Sequence, residues 1–170
     1  MARRMGSPEG APLDEVFTFV SSLYFRGKLT YARHFAAPPA GFPREGSTLV
    51  IAPGFGLVPP DWRIDPERTA VLRRTRVDLK CPDYVEPMRR HLRDLHDRIP
   101  ASAPVVLLGS VATGKYVDLL EPVFGERLLF PRIFAGAGDM RRGSLLLRAT
   151  REGEELDYVT LAAPRHARRS

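Results

Sequence analysis

Apolar residues recur at helical spacing in two long segments of the chain. Residues 14–36 repeat apolar side chains about once per turn, which predicts a helix with one buried side, and Gly27 is a point at which that helix can break in two. Residues 83–98 show the same amphipathic pattern and predict another long helix. Asp65 followed by Pro66 is typical of the start of a further helix, with the aspartate as its N-cap.

Short apolar runs bounded by turn residues predict three strands, at 48–52, 105–108 and 127–130. A helix is expected between the last two, from about residue 113 to 120, and this order is typical of a βαβ unit with parallel strands. Because the apolar run at 105–108 is unbroken, we expect it to be a central strand, buried on both faces, beside 48–52.

The C-terminal pattern predicts a hairpin. Residues 144–150 and 156–161 are apolar segments on either side of a polar turn, so we expect them to pair as a closing β-hairpin. The sequence therefore predicts an α/β fold, as a single domain over 12–163, with a central mostly parallel sheet, helices on both faces and a C-terminal β-hairpin. Residues 1–11 are expected to form a disordered tail and residues 164–170 a basic tail.

Composition adds a charge balance to this picture. The net charge of +6 and the pI near 10.0 favour nucleic acid or a phosphorylated nucleoside ligand as partner, since basic surfaces attract polyanions. The alternative is that the basic charge only reflects a GC-rich genome, which uses arginine in place of lysine. The chain contains only three lysines, which fits this alternative. No apolar run approaches the length of a membrane span, and no apolar stretch follows the first basic residues as in a secretory signal. We expect a cytoplasmic protein without a membrane partner.

The segment VVLLGSVATGKY, residues 105–116, joins a predicted strand end to a predicted helix start. Ligands of α/β sheets bind at such strand ends, and helix starts attract anions. Gly109 permits close approach, Ser110 and Thr113 offer hydroxyl groups, Lys115 offers a charge and Tyr116 a stacking face. This is not a P-loop, because Tyr116 stands where serine or threonine is required. The alternative is a plain turn with Thr113 as the helix N-cap.

The segment GFGLVPPDWRID, residues 54–65, holds too many glycines and prolines for a regular element. Gly54 is a candidate ligand contact at its start, Asp61 a candidate general base, and Trp62 a face on which a nucleobase can stack. The alternative is a rigid loop whose aromatic side chains cover the core.

Two further segments offer polar side chains. In GAGDMRRGSLLLR, Asp139 is a candidate acid or base, and Arg141 and Arg142 are candidates to clamp a phosphate. The alternative is that Asp139 pairs with one of these arginines and that the pair only holds the loop. In SSLYFRGKLTYARHF, Tyr24 and Arg26 interrupt an apolar pattern and are candidate ligand contacts, the alternative being a solvated helix face.

Histidine and cysteine spacing predicts no metal site. His91 and His96 are five residues apart, whereas ligands on one helix face prefer four, and Cys81 has no second cysteine nearby. We expect no metal, no cofactor and no thiol nucleophile.

Four stretches together resemble the YaaA superfamily of peroxide-stress-resistance proteins and their small relatives. They are IAPGFGLVPPDWRIDP, LLGSVATGKYVDLL, GDMRRG and the earlier YFRGKLTYA. The first three fall in the family's order over roughly residues 47–147. The resemblance implies an α/β fold with a basic cleft, a nucleic-acid-related role, connected with stress or DNA maintenance, and a cytoplasmic location.

Three hypotheses of function follow. The first is a YaaA-like protein whose basic cleft binds nucleic acid or a nucleotide. The second is an enzyme acting on a nucleobase or nucleoside, of glycosidase or base-modifying type, with Asp61 or Asp139 as acid or base and Trp62 or Tyr116 as stacking group. The third is a partner-binding module without a small ligand. In either of the first two, we expect the segments containing these residues to converge on one concavity.

Overall fold

The computed structural model describes residues 9–136 and 138–161. The α-helices in these ranges are α1 (Leu13–Phe35), α2 (Pro66–Arg74), α3 (Pro82–Arg98), α4 (Val117–Phe124) and α5 (Asp139–Glu152). The strands are β1 (Ala11–Pro12), β2 (Val50–Ala52), β3 (Gly56–Val58), β4 (Arg63–Ile64), β5 (Val105–Val106), β6 (Leu128–Pro131) and β7 (Tyr158–Thr160). Short 3-10 turns occur at Arg44–Ser47, Gly125–Arg127 and Arg132–Phe134. Within the described ranges, no helix is both long and apolar enough to cross a bilayer.

The prediction of a central, mostly parallel sheet is wrong. The strands form three small sheets instead: β1 with β4 and β2 with β3, both antiparallel, and a mixed sheet in the order β5–β6–β7. Only β5 and β6 run parallel, on either side of α4, so the βαβ order at 105–130 is present but does not extend into a larger sheet. Among the helices, α1, α3 and α4 contribute the largest numbers of buried apolar side chains.

The segment 105–108 is not a central strand. Only Val105–Val106 forms a strand, it lies at the edge of its sheet, and Val106 is 36% exposed. The segment 48–52 does not lie beside it, because β2 turns back at once onto β3 through the left-handed Gly54 (φ +87°). The middle position belongs to β6, whose other neighbour is β7.

The predicted C-terminal hairpin is also wrong, because 144–150 lies inside helix α5. The buried residues of α5, which include Gly143, Leu146 and Ala149, fall three or four positions apart, so the leucine run belongs to a helical face. Gly153 ends the helix in the left-handed conformation. Of the predicted second hairpin strand, Tyr158–Thr160 is a strand, but it pairs antiparallel with β6.

The long helices follow the predictions more closely. Helix α1 runs unbroken through Gly27, and α2 begins after Asp65, whose Oδ1 accepts a hydrogen bond from the backbone N–H of Arg68 at 2.8 Å. Helix α4 starts at Val117, later than the predicted residue 113. Residues 1–8 of the predicted tail and the basic tail at 164–170 lie outside the described residues, whereas Ala11 is buried in β1.

Helix α1 contributes to two of the three buried clusters. One cluster joins its residues Phe25 and Leu29 to the small sheets formed by β1–β4, and another joins Tyr31 to Phe134 and α5. The third lies between α3, α4 and β6. Because α1 contributes to two of these clusters, it also borders the open space between them.

Candidate functional site

A cavity of about 1160 Å³ is lined by residues from all five α-helices, from the segment 36–53 and from the segment 107–116, here called the β5–α4 loop. Several of the candidate residues lie in the part of the lining that α1, the start of α5 and the β5–α4 loop provide. The cavity has a mainly apolar lining, and its volume exceeds the usual range for small-molecule sites, so a small ligand would fill only part of it. Near α1, the start of α5 and the β5–α4 loop, the polar side chains in the lining are Tyr24, Lys28, Ser110, Lys115, Tyr116 and Asp139. Elsewhere the lining includes Tyr31, Ser47, Thr48, Thr69, Arg73, Glu155 and Tyr158.

Helix α1 supplies Tyr24 and Lys28, which are one turn apart and so lie on the same face. The Lys28 Nζ atom is 4.3 Å from the centroid of the Tyr24 ring. Burial lowers the pKa of Lys28; Asp139 counteracts this effect and Arg142 adds to it. Among the described residues, no hydrogen bond or salt bridge joins Lys28 Nζ to an acceptor. The amine therefore faces the cavity with its donors unpaired.

The Tyr24 hydroxyl lies beside the buried Arg142. Burial raises the pKa of Tyr24, and Arg142 pulls it in the opposite direction. The Tyr24 Oη atom is buried and has no hydrogen-bond partner in the described part of the chain. Because this oxygen has almost no accessible surface, a ligand in the cavity would meet the ring of Tyr24 and not its hydroxyl group.

Arg142 holds the start of α5 to the preceding turn. Its side chain is 8% exposed, its Nη2 donates to the carbonyl of Phe134 at 2.9 Å, and its Nη1 lies 3.3 Å from Oδ1 of Asp139. The Nε atom is buried without a partner. These bonds support the alternative in which Arg142 holds the loop, since its guanidinium is turned inward. Arg141 is exposed and does not line the cavity.

The β5–α4 loop places Gly109, Ser110, Lys115 and Tyr116 in the cavity lining. Its backbone is held by Tyr84, whose hydroxyl donates to the carbonyl of Lys115 at 2.8 Å. The Lys115 Nζ atom is 5.3 Å from the centroid of the Tyr116 ring. Burial raises the pKa of Tyr116, and the charge of Asp139 adds to the effect. Thr113 is exposed, outside the lining, and does not cap α4, which begins four residues later.

The segment 54–65 reaches the cavity through Leu57 and Ile64, but its candidate residues Gly54, Asp61 and Trp62 do not line it. Asp61 is exposed, and Trp62 packs on Phe55 with ring centroids 4.7 Å apart, covered by the Arg68 guanidinium at 4.6 Å. Gly54 lies against α2.

This segment instead supports the beginning of α1. The carbonyls of Trp62 and Pro60 accept the N–H groups of Leu13 and Asp14 at 2.8 and 2.9 Å. Such bonds satisfy orphan donors at a helix start, and they support the reading of 54–65 as a rigid structural loop.

Arg26 lies apart from the cavity as well. It is exposed on another face of α1, in a shallow groove that also contains Asp14, Arg33 and His34. The segment 105–116, the start of 136–148, Tyr24 and part of 54–65 therefore border the same cavity. The candidates Gly54, Asp61, Trp62 and Arg26 do not line it.

Sequence reasoning missed Lys28. The available signal was its spacing: Tyr24, Lys28 and Tyr31 fall four and three residues apart, on one helical face, so the lysine interrupts an otherwise aromatic and apolar stripe.

Within the described ranges, no three histidine, cysteine, aspartate or glutamate side chains come together as metal ligands would. Comparison of the chain with family models, with curated proteins and with solved structures found no match.

Proposed function

We propose that this chain binds a nucleotide-type ligand, an aromatic base carrying an anionic group, in the cavity between α1, α5 and the β5–α4 loop. The observation that carries the proposal is the pairing of two tyrosines with two lysines, Tyr24 with Lys28 and Tyr116 with Lys115, in one mainly apolar cavity. Aromatic rings stack on nucleobases irrespective of base identity, and ammonium groups attract phosphate.

The shape of the site favours a mononucleotide or a few nucleotides of a single strand over a duplex. A concave, mostly apolar site suits a ligand of limited size, whereas a duplex is bound mainly by cations along an open surface. Arg142, the strongest candidate for a phosphate clamp in the sequence, is turned inward. The resemblance to the YaaA superfamily supports the same ligand class, and all four of its stretches contain residues that line the cavity.

The proposal is tested by thermal denaturation with nucleotides, nucleosides and short single-stranded and duplex oligonucleotides, followed by calorimetry of the compounds that stabilise the protein. A ligand at a hundredfold excess over its Kd stabilises the folded state by about 2.7 kcal/mol. Tyr116→Ala and Lys115→Met should weaken binding, and Arg26→Ala, on the other face of α1, is the matched control. Equal loss of affinity in all three variants, or no stabilisation by any compound, contradicts the proposal.

A second candidate is an enzyme acting on a nucleobase or nucleoside. It is favoured by Asp139, which borders the cavity with its side chain 70% exposed and acts electrostatically on both Lys28 and Tyr116. A carboxylate beside a stacking ring is the arrangement that acid or base catalysis on a bound base requires. Chromatography of nucleosides incubated with the protein tests this candidate: a released or altered base that disappears in Asp139→Asn supports it, and unchanged nucleosides refute it.

A further inference from the structure

The cavity extends well beyond the residues that a nucleotide would contact. Along α1 its lining runs from Val16 to Phe35, which is about 28 Å of helix, and Tyr24 and Lys28 lie near the middle of this length. The volume of about 1160 Å³ is larger than that of sites which enclose a drug-sized ligand. A nucleotide at Tyr24 and Tyr116 would therefore leave a large part of the cavity unfilled.

Part of the remaining lining is entirely apolar in its side chains and is here called the apolar section. It is formed by the last turn of α1, by α3, by β5 and by α4, and it consists of Phe35, Leu95, Ile99, Val105, Leu120 and Phe124. All of these except Phe35 belong to one buried cluster or pack against it, so the section is a continuous wall of the cavity.

The segment 36–53 joins the two helix ends that border the apolar section. Its Arg44 Nη2 atom donates to the carbonyls of Arg33 and His34, at the end of α1, at 3.4 Å in each case. Its Phe42 ring lies 5.4 Å from the guanidinium of Arg98, at the end of α3. Because Phe42 also lines the cavity, this segment adds a further apolar side to the same section.

The apolar section favours an alkyl chain over a peptide as its occupant. A buried peptide needs a partner for each backbone N–H and C=O, whereas the six side chains of the section carry no polar group and the edge strand β5 is only two residues long. Of the large apolar side chains that are exposed in the described ranges, four line this cavity: Val20, Leu49, Val106 and Met140. An alkyl chain would remove such surface from water without needing hydrogen bonds.

The charged side chains of the lining favour an anionic head group. Over the described residues the lining contains three cations and two carboxylates: Lys28, Arg73, Lys115, Asp139 and Glu155. Asp139 Oδ1 already lies 3.3 Å from Arg142 Nη1, and Glu155 Oε1 accepts a hydrogen bond from the Tyr158 hydroxyl at 2.8 Å. Within the described ranges, the side chains of the three cations have no hydrogen bond or salt bridge to an acceptor. The lining therefore attracts an anion while both of its carboxylates already have a partner.

We propose that the apolar section binds the alkyl or acyl chain of an amphipathic ligand whose anionic head lies near Lys28 and Lys115. The inference rests on the proposed function for the identity of the head, and together they define the ligand class as a nucleotide that carries a long apolar chain. Burial of the chain stabilises the complex in proportion to the apolar area removed from water, and the ammonium groups orient the head.

Calorimetric titration with butyl, hexyl and octyl phosphate tests the apolar section without a nucleotide. The three compounds share one head group, and all are used below the concentration at which octyl phosphate forms micelles. We expect one molecule to bind per chain and Kd to fall by up to about fourfold for each added methylene group, which corresponds to about 0.8 kcal/mol. The heat capacity change should become more negative as the chain lengthens. A soluble peptide of alternating valine and lysine is titrated in parallel and should bind more weakly than octyl phosphate.

Two variants of the lining and one matched control locate the chain. Leu49→Asn and Val106→Asn place a polar group in the lining at positions that are each 36% exposed, so the fold tolerates them. Leu79→Asn makes the same change at a residue that is 40% exposed and lies outside the lining. We expect the first two variants to weaken octyl phosphate binding by about tenfold and to affect butyl phosphate less, and the control to bind as the wild type does. Circular dichroism and the thermal midpoint establish that each variant is folded.

Equal affinity for the three alkyl phosphates overturns the inference, as does unchanged octyl phosphate binding in both folded lining variants or an equal loss in Leu79→Asn. Tighter binding of the peptide than of octyl phosphate overturns the choice of an alkyl chain. If nucleotides bind but affinity does not depend on chain length, the apolar section is refuted and the proposed function stands. If affinity rises with chain length but no nucleotide binds, the apolar section is supported and the nucleotide head is refuted.

Discussion

Replacing Gly27 by alanine tests how closely α1 and α5 must approach each other. A Cβ atom at Gly27 would lie 2.8 Å from the carbonyl oxygen of Gly143 and 3.2 Å from its Cα. The reciprocal Cβ at Gly143 would lie 2.9 Å from the Cα of Tyr24. Because these neighbours are backbone atoms, no side chain can turn away to relieve the overlap, and the two helices must move apart.

Two opposing effects set the size of the change. Alanine favours the helical backbone over glycine by about 1 kcal/mol, which by itself would stabilise α1. Overpacking a well-packed contact typically costs about 1–3 kcal/mol, and here separating the helices also loosens the packing of Tyr31 against Leu146 and Phe134. We expect the steric cost to exceed the gain, with a net loss of up to about 2 kcal/mol, which corresponds to at most roughly 4–8 °C in Tm for a chain of this size.

Urea denaturation followed by circular dichroism measures this difference, with the slope m compared between proteins. The matched control is Thr30→Ala, an exposed position of the same helix where alanine raises helix propensity without a clash. We expect Thr30→Ala to leave stability unchanged or slightly raise it. If Gly27→Ala is as stable as Thr30→Ala, the helices do not cross at the distance described, and the inferred placement of Tyr24 and Lys28 relative to Asp139 is wrong.

Three further variants test separate contacts. Gly56→Ala should destabilise the protein by about 1–3 kcal/mol in urea denaturation, because φ is +80° and the added Cβ would lie 2.8 Å from a carbonyl oxygen of α3; full stability would contradict this. Arg142→Leu should lower the free energy of unfolding in urea denaturation by about 1–3 kcal/mol, since it leaves the Phe134 carbonyl without its donor, and an unchanged free energy of unfolding would show that the bond is not formed. Burial lowers the pKa of Lys28 in the folded protein below its unfolded value of about 10.4. Between these two pKa values the unfolded state binds more protons than the folded state. The free energy of unfolding therefore rises with pH over that range. The stability of the wild type relative to Lys28→Met should therefore increase between neutral pH and about pH 10, and a constant or falling difference would refute the lowered pKa.

Local signals in the sequence were sufficient for parts of this fold. The cap formed by Asp65 depends on residues within one turn, and the extents of α1 and α3 follow from their own periodicity. The segment 144–150 was misread because three successive leucines fit a buried strand as well as a helix. The helical conformation of this segment lets Gly143 pack closely against α1, and this tertiary contact cannot be read from the local sequence.

The sequence also predicted some residues of the site but could not separate them from residues with a structural role. Ser110, Lys115, Tyr116 and Asp139 stand next to turns and carry polar groups, so composition alone made them candidates. Trp62 carries the same kind of signal, and only the tertiary packing on Phe55 separates a covering side chain from a binding one.

The position of α1 has a consequence for synthesis of the chain on the ribosome. Gly27 meets a partner that is translated 116 residues later, at Gly143, which at typical elongation rates is a delay of about 6–23 s. During that time the face of α1 that α5 will cover has no native partner, and closing so long a loop is entropically costly. The nascent chain is therefore expected to be a substrate for holding chaperones until α5 emerges, even though both glycines are buried in the finished protein.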